Sequence, residues 1–109
     1  MEQYEVVMSD KADDDMDGIY KYISDNLQEP VIAVNQYNRI ADAILTLEKM
    51  PDRIKLMNSE PERAKGLRPL HVDNYTVFFT ITGSVVNIVR VLYSASDVCF
   101  KKISSRSYF

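Results

Sequence analysis

Gly66-Leu67-Arg68-Pro69-Leu70-His71-Val72, Asp73-Asn74, Tyr75-Thr76-Val77-Phe78-Phe79-Thr80-Ile81-Thr82, Gly83-Ser84, Val85-Val86-Asn87-Ile88-Val89-Arg90-Val91-Leu92-Tyr93: this continuous stretch decides the fold. Three runs rich in β-branched and aromatic residues are separated by two-residue turn signals, Asp73-Asn74 and Gly83-Ser84. That spacing predicts an antiparallel meander. Arg68 and Arg90 lie inside the outer runs. An arginine within an apolar strand must snorkel, pair or face a ligand, so each marks a surface where charge is wanted.

Upstream, Tyr4, Val6, Val7 and Met8 give a short strand signal. Ser9 or Asp10 can then cap a helix, because a side-chain oxygen there accepts from the unpaired N–H groups of the first turn. Ala12, Met16, Ile19, Tyr20, Ile23 and Leu27 recur at spacings of three and four and form one apolar stripe. Pro30 suits the first turn of a second helix, whose stripe is Ala33, Tyr37, Ile40, Ala41, Ile44, Leu45 and Leu47, ending before Pro51. The short connection between the helices predicts an antiparallel helical hairpin. From Pro51 to Lys65 the periodicity is lost, which marks a charged loop suited to contacting a partner. After Tyr93, Ser94 to Asp97 offers a cap, and Val98, Cys99, Phe100 and Ile103 predict a short C-terminal helix or tail.

The order β-α-α-β-β-β defines an α+β fold in a single domain over residues 1–109. The helical hairpin is expected to pack on one side of a small antiparallel sheet and to leave the other side free for a guest. No apolar run approaches the ~20 residues that span a bilayer. The single cysteine, Cys99, has no partner for an intramolecular disulfide and fits a reducing, cytoplasmic setting. Neither a cofactor nor a metal is expected.

The net charge of -3 argues against a generic nucleic-acid binder. Its distribution is uneven. Residues 1–30 carry nine acids against Lys11 and Lys21, whereas residues 31–109 carry eleven bases against seven acids. The acidic part is the first helix with its flanks, so the remaining surface can still be locally positive.

With the element order and the meander in hand, the chain resembles the RelE/ParE superfamily of toxins from bacterial type II toxin–antitoxin systems. The resemblance runs from Tyr4 to Asp97 and is carried by five pieces. They are Tyr22-Ile23 late in the first helix, Leu47 to Pro51 with Arg53 closing the second, Gly66-Leu67-Arg68-Pro69-Leu70, Asn74 to Phe79, and Ile88 to Tyr93. It implies a small growth-inhibiting toxin, of the kind associated with plasmid stabilization, neutralised by a cognate antitoxin in a heterotetramer or larger complex. ParE-like members poison DNA gyrase, whereas RelE-like members cut mRNA on the ribosome. RNA cleavage by 2′-OH attack needs a proton acceptor, cations around the pentacovalent phosphate, and an acid for the leaving oxygen.

RelE-like sites supply lysines on the first sheet strand, an arginine after the middle-strand tyrosine, and an arginine and tyrosine beyond the last strand. Here Thr76 follows Tyr75, the first sheet strand has Arg68 and His71 with no lysine beyond Lys65, and Ser94 to Asp97 contains no base. The expectation is therefore a ParE-like toxin that works by binding. The alternatives are an mRNA endonuclease using Arg68, Arg90 and Tyr93, or an attenuated member that only binds its antitoxin. Arg63, Lys65, Arg68, Tyr75, Lys101 and Lys102 are the expected partner-binding residues. For Arg68 and Arg90 the competing reading is an ion pair within the domain, and for Tyr75 and Tyr93 a packed ring with a wet hydroxyl. His71 could act as a base, but the sequence shows no orienting partner for it, which favours a structural or exposed role.

Overall fold

The computed structural model describes residues 3–93. The elements are β1 (Glu5–Met8), α1 (Asp10–Lys21), α2 (Pro30–Leu45), β2 (Arg68–Val72), β3 (Tyr75–Thr82) and β4 (Val85–Tyr93), in the order expected. The anticipated terminal helix over Val98, Cys99, Phe100 and Ile103 lies outside the described residues.

Both hairpin turns follow from their two central residues. Asp73 and Gly83 adopt φ of 54° and 60°, left-handed values at the first central position that match the twist of the flanking strands. Glycine takes this conformation without a Cβ penalty, whereas Asp73 is held in it by side-chain bonds to α2. Arg39 Nε and Nη2 donate to its two carboxylate oxygens at 2.8 Å, and Gln36 Nε2 donates to Oδ2 at 3.0 Å. One turn of the sheet is thus tied to the second helix.

The strands lie in the order β1-β4-β3-β2, with β1 parallel to β4 and the other pairs antiparallel. The sheet is therefore mixed, where the sequence pattern suggested a wholly antiparallel one. No tight turn joins β1 to another strand, so nothing local dictates its direction. The two-helix excursion lets it run alongside the last strand. Ser9 makes the junction: its N–H donates to the Ile88 carbonyl at 3.0 Å, its hydroxyl donates to the Val89 carbonyl at 2.9 Å, and the same oxygen accepts from Ala12 N–H at 3.0 Å. It ends the strand and caps α1 at once.

The core joins Ala12 and Met16 of α1 and Ile40 and Ile44 of α2 to Val72, Val77, Phe79, Val86, Ile88 and Val91 of the sheet. A bulge in β4 maintains this pattern. Phe79 pairs with Ile88 but Phe78 pairs with Arg90, leaving Val89 as the extra residue. Without it Arg90 would lie opposite Val77, in the core, and Val91 would be turned outward, because a one-residue slip exchanges the faces of a strand. On the side turned away from the helices Thr76 and Phe78 are also buried, at 3% and 2% exposure, so that side is not the bare platform expected.

The segment between α2 and β2 is anchored rather than loose. Arg53 donates to the carbonyls of Lys49 and Met50 at 2.9 and 3.1 Å and to Thr46 Oγ1 at 3.2 Å, closing the left-handed turn at Met50. Met57 N–H reaches the Leu67 carbonyl at 2.9 Å, and Pro51, Glu62 and Leu67 are buried. Among the described residues no helix is long and apolar enough to cross a membrane.

Candidate functional site

The three residues expected to carry catalysis sit apart. Arg68 is on β2 opposite Phe79, Arg90 on β4 opposite Phe78, and Tyr93 at the end of β4 opposite Tyr75. With β3 between them, Arg68 and Arg90 are separated by two strand spacings, about 10 Å, and alternation directs them to opposite faces. Tyr93 lies three residues beyond Arg90, again about 10 Å along the strand. No phosphate-sized point is flanked by all three.

Both arginines are engaged within the fold. Arg68 Nη1 donates to the Ile54 carbonyl, binding the loop to the start of the sheet. Arg90 is gripped by Asp15 of α1 through Nε to Oδ2 at 2.7 Å and Nη2 to Oδ1 at 2.8 Å. Asp15 Oδ2 also accepts from Val91 N–H at 2.9 Å. The reason is topological: β1 pairs no further than Met8 with Ile88, so among the described residues the rest of the β4 edge has no strand beside it. A carboxylate from α1 covers one of the backbone donors left exposed there. Asp15 belongs to an acidic run that reads in sequence as a solvated face, and only the path of α1 across β4 distinguishes it from its neighbours.

Of the expected partner-binding residues, Arg63 and Lys65 are exposed on the loop, with Arg63 Nη1 donating to the Met57 carbonyl at 3.4 Å. Arg68 and Tyr75 are half-buried. Lys101 and Lys102 lie outside the described residues. Tyr75 and Tyr93 meet edge to face with ring centroids 5.6 Å apart. Burial of Tyr75 raises its phenol above the usual value, with smaller contributions from the hydroxyls of Tyr93 and Tyr22. A tyrosine cluster therefore marks the end of the sheet where α1 widens into the π-helical turn Tyr22–Asn26. His71 is exposed, with Nδ1 3.2 Å from Thr76 Oγ1. Among the described residues no three His, Cys, Asp or Glu side chains form a metal-binding group.

Sequence reasoning missed the outer face of the helical hairpin. Leu27, Val31, Ile32, Val34 and Leu45 are each more than two-fifths exposed. A shallow groove between the helices is lined by Asp17, Tyr20 and Lys21 of α1 and by Val34, Tyr37 and Asn38 of α2. Tyr20 and Tyr37 meet within it at 6.3 Å and near right angles. The signal was present in Val31-Ile32-Ala33-Val34, since four successive apolar residues exceed what one buried helical stripe accommodates.

Residues 6–98 match the model of a family described as the ParE toxin of type II toxin-antitoxin system, parDE. Among solved structures, the fold is similar to one described as the chromosomal ParDE TA system from P. aeruginosa, with a TM-score of 0.70 and 22% identity over 84% of this chain and 96% of that one. It is also similar to the toxin-antitoxin complex RelBE2 from Mycobacterium tuberculosis, with a TM-score of 0.59 and 19% identity over 84% of this chain and 98% of that one. No curated protein gives a significant match. At these identities the structural likenesses speak for the fold, and the family match covers most of the chain.

Proposed function

Because the chain belongs to the ParE toxin family of type II toxin–antitoxin systems, we propose that it inhibits growth by binding a cellular target, DNA gyrase, and is held inactive by a cognate antitoxin. The observation that carries a binding mode of action is the placement of the two strand arginines. Cleaving RNA requires cations free to gather around a phosphate. Here Arg68 binds the Ile54 carbonyl and Arg90 is chelated by Asp15. Reassigning either guanidinium to a substrate would forfeit a contact on which the fold depends.

In this reading the exposed loop cations Arg63 and Lys65, the rings of Tyr75 and Tyr93, and Lys101 and Lys102 further along the chain supply contacts to the target. The setting is cytoplasmic, the complex with antitoxin is a heterotetramer or larger, and the module's role is stabilization of the replicon that carries it. Induction of the chain alone in bacteria is expected to stop growth and to inhibit supercoiling by purified gyrase. New cleavage ends in mRNA, mapped after induction with supercoiling unaffected, would transfer the assignment to a ribosome-dependent endonuclease built on Arg68, Arg90 and Tyr93. Normal growth with full accumulation of protein, together with retained antitoxin binding, would mark an attenuated member.

A further inference from the structure

The charges of this molecule are separated in space. α1 is tied to β4 through Ser9 and Asp15, and it exposes Asp10, Asp13, Asp14 and Asp17 against Lys11 and Lys21. The segment between α2 and β2 is tied to the far side of β3, where Met57 N–H reaches the Leu67 carbonyl and Arg68 Nη1 the Ile54 carbonyl. Over residues 49–65 it exposes five bases, Lys49, Arg53, Lys55, Arg63 and Lys65, against two acids, Asp52 and Glu60, while Glu62 is buried. A chain of net charge -3 thus carries a positive end about two strand spacings, roughly 10 Å, from the strand that holds its acidic helix. Two guanidiniums at that end are held by the backbone. Arg53 spends three N–H bonds on Thr46, Lys49 and Met50, and Arg63 one on Met57, so donors remain on each five-donor fork. Lys55 stands between the two, and among the described residues Lys49, Arg53, Lys55 and Arg63 form no ion pair. The apolar side chains of the segment are withdrawn: Ile54, Leu56 and Met57 are half-buried and Pro51 is buried, which leaves Met50 exposed at the margin.

We propose that this loop is a phosphate-contacting surface whose ligand is the backbone of duplex DNA, so that the chain meets its target together with the DNA on which the target acts. The inference rests on the gyrase reading above and deepens it by naming what the loop cations touch. The make-up of the surface selects the occupant. A protein partner is gripped through a desolvated apolar centre, which this segment lacks. Surfaces that hold DNA are polar and positive, and a guanidinium fork matches the oxygens of a phosphate. Anchoring by carbonyls fixes the forks beforehand, so little ordering is left to be done on contact. The acidic helix is repelled by the same phosphates and confines the contact to the loop end. Backbone contacts carry no base information, so duplexes of different sequence should be held alike.

The test titrates the purified full-length chain into a fluorescently labelled DNA duplex of mixed sequence, followed by anisotropy at rising salt, and sets each variant beside the parent in a gyrase supercoiling assay. The parent should bind the duplex at low salt, with affinity falling steeply as salt rises. Lys49→Glu/Lys55→Glu should weaken that binding, and the inhibition of supercoiling, by at least about tenfold. Circular dichroism should not change, since both side chains are exposed. Lys11→Glu/Lys21→Glu makes the same change in net charge on α1 and should stay within about threefold of the parent in both assays. A parent that inhibits supercoiling without binding the duplex would overturn the inference and leave the gyrase reading intact, giving the loop to an acidic patch on the target if the loop variant then fails to inhibit. A loop variant that matches the parent in both assays would overturn it equally. RNA of the same length bound more tightly than the duplex would overturn the choice of DNA. A parent that binds the duplex and leaves supercoiling unaffected would instead overturn the gyrase reading.

Discussion

Replacing Asp15 with alanine should cost a large part of the protein's stability. The side chain accepts three bonds, two from the Arg90 guanidinium at 2.7 and 2.8 Å and one from Val91 N–H at 2.9 Å, and the pair is only 14% and 11% exposed. Removing one partner of a buried ion pair costs about 3–5 kcal/mol, mostly because the other charge is left without compensation. Residual solvent access to Arg90 places the expected loss at the lower end, about 3 kcal/mol. Against a typical domain stability of about 5–15 kcal/mol this is a large fraction. For a chain of this size it corresponds to a fall in Tm of roughly 12 °C. Asp15→Asn keeps an oxygen for Val91 N–H but loses the charge, so about half the effect is expected. Urea unfolding followed by circular dichroism measures both. If Asp15→Ala unfolds within about 1 kcal/mol of the parent, the carboxylate does not clamp the β4 edge and the structural assignment of Arg90 falls with it.

Two further outcomes follow from the contacts. Bonds from Arg39 and then Gln36 hold the Asp73 carboxyl below its ordinary range, so the stability they contribute is present above the unfolded-state value near ~3.9 and is lost as pH falls through the lower folded-state value. The stability gap between the parent and Arg39→Met should therefore be constant near neutrality and close on acidification, and pH-dependent urea melts showing a gap that persists in acid would contradict it. Ser9→Ala removes both the cap on Ala12 N–H and the bond to the Val89 carbonyl, for an expected loss of about 1–2 kcal/mol in the same melts. Ser9→Asp should recover part of that, since a carboxylate can still cap but has no proton to donate.

The parts of this fold that chemistry fixes locally were legible in the sequence. Asp73-Asn74 and Gly83-Ser84 announce their hairpins by turn propensity, although Asp73 also draws on Arg39 and Gln36 of α2; Ser9 announces the start of α1, and Pro30 that of α2. What escaped is what depends on a distant neighbour. The direction of β1 is set by β4, about eighty residues later, and the Val89 bulge becomes visible only when Arg90 and Val91 are tested against the faces of β3. Asp15 cannot be told from Asp13 or Asp14 until the crossing of α1 over β4 is known. The candidate site was harder still. Arg68, Arg90 and Tyr93 share a sheet in sequence order, but convergence depends on the register and parity of three strands. The arginines' partners, a loop carbonyl and a helix aspartate, leave no periodic trace. The hairpin groove was overlooked for the opposite reason: excess apolar residues on α2 read as core unless the stripe is counted for width.

The parallel joining of the first strand to the last sets a timetable for the molecule. Glu5–Met8 has no neighbour to bond with until Val85–Ile88 has been made, so a nascent chain can assemble its helices and still lack one border of the sheet until most of it has left the ribosome. The Asp15 grip on Arg90 and the Ser9 bond to Val89 wait on the same event. Any surface built on the completed sheet comes into being only after the last strand has emerged. A message truncated before the last strand would then encode a protein that lacks the β1 pairing, the Asp15 grip and the Ser9 bond together.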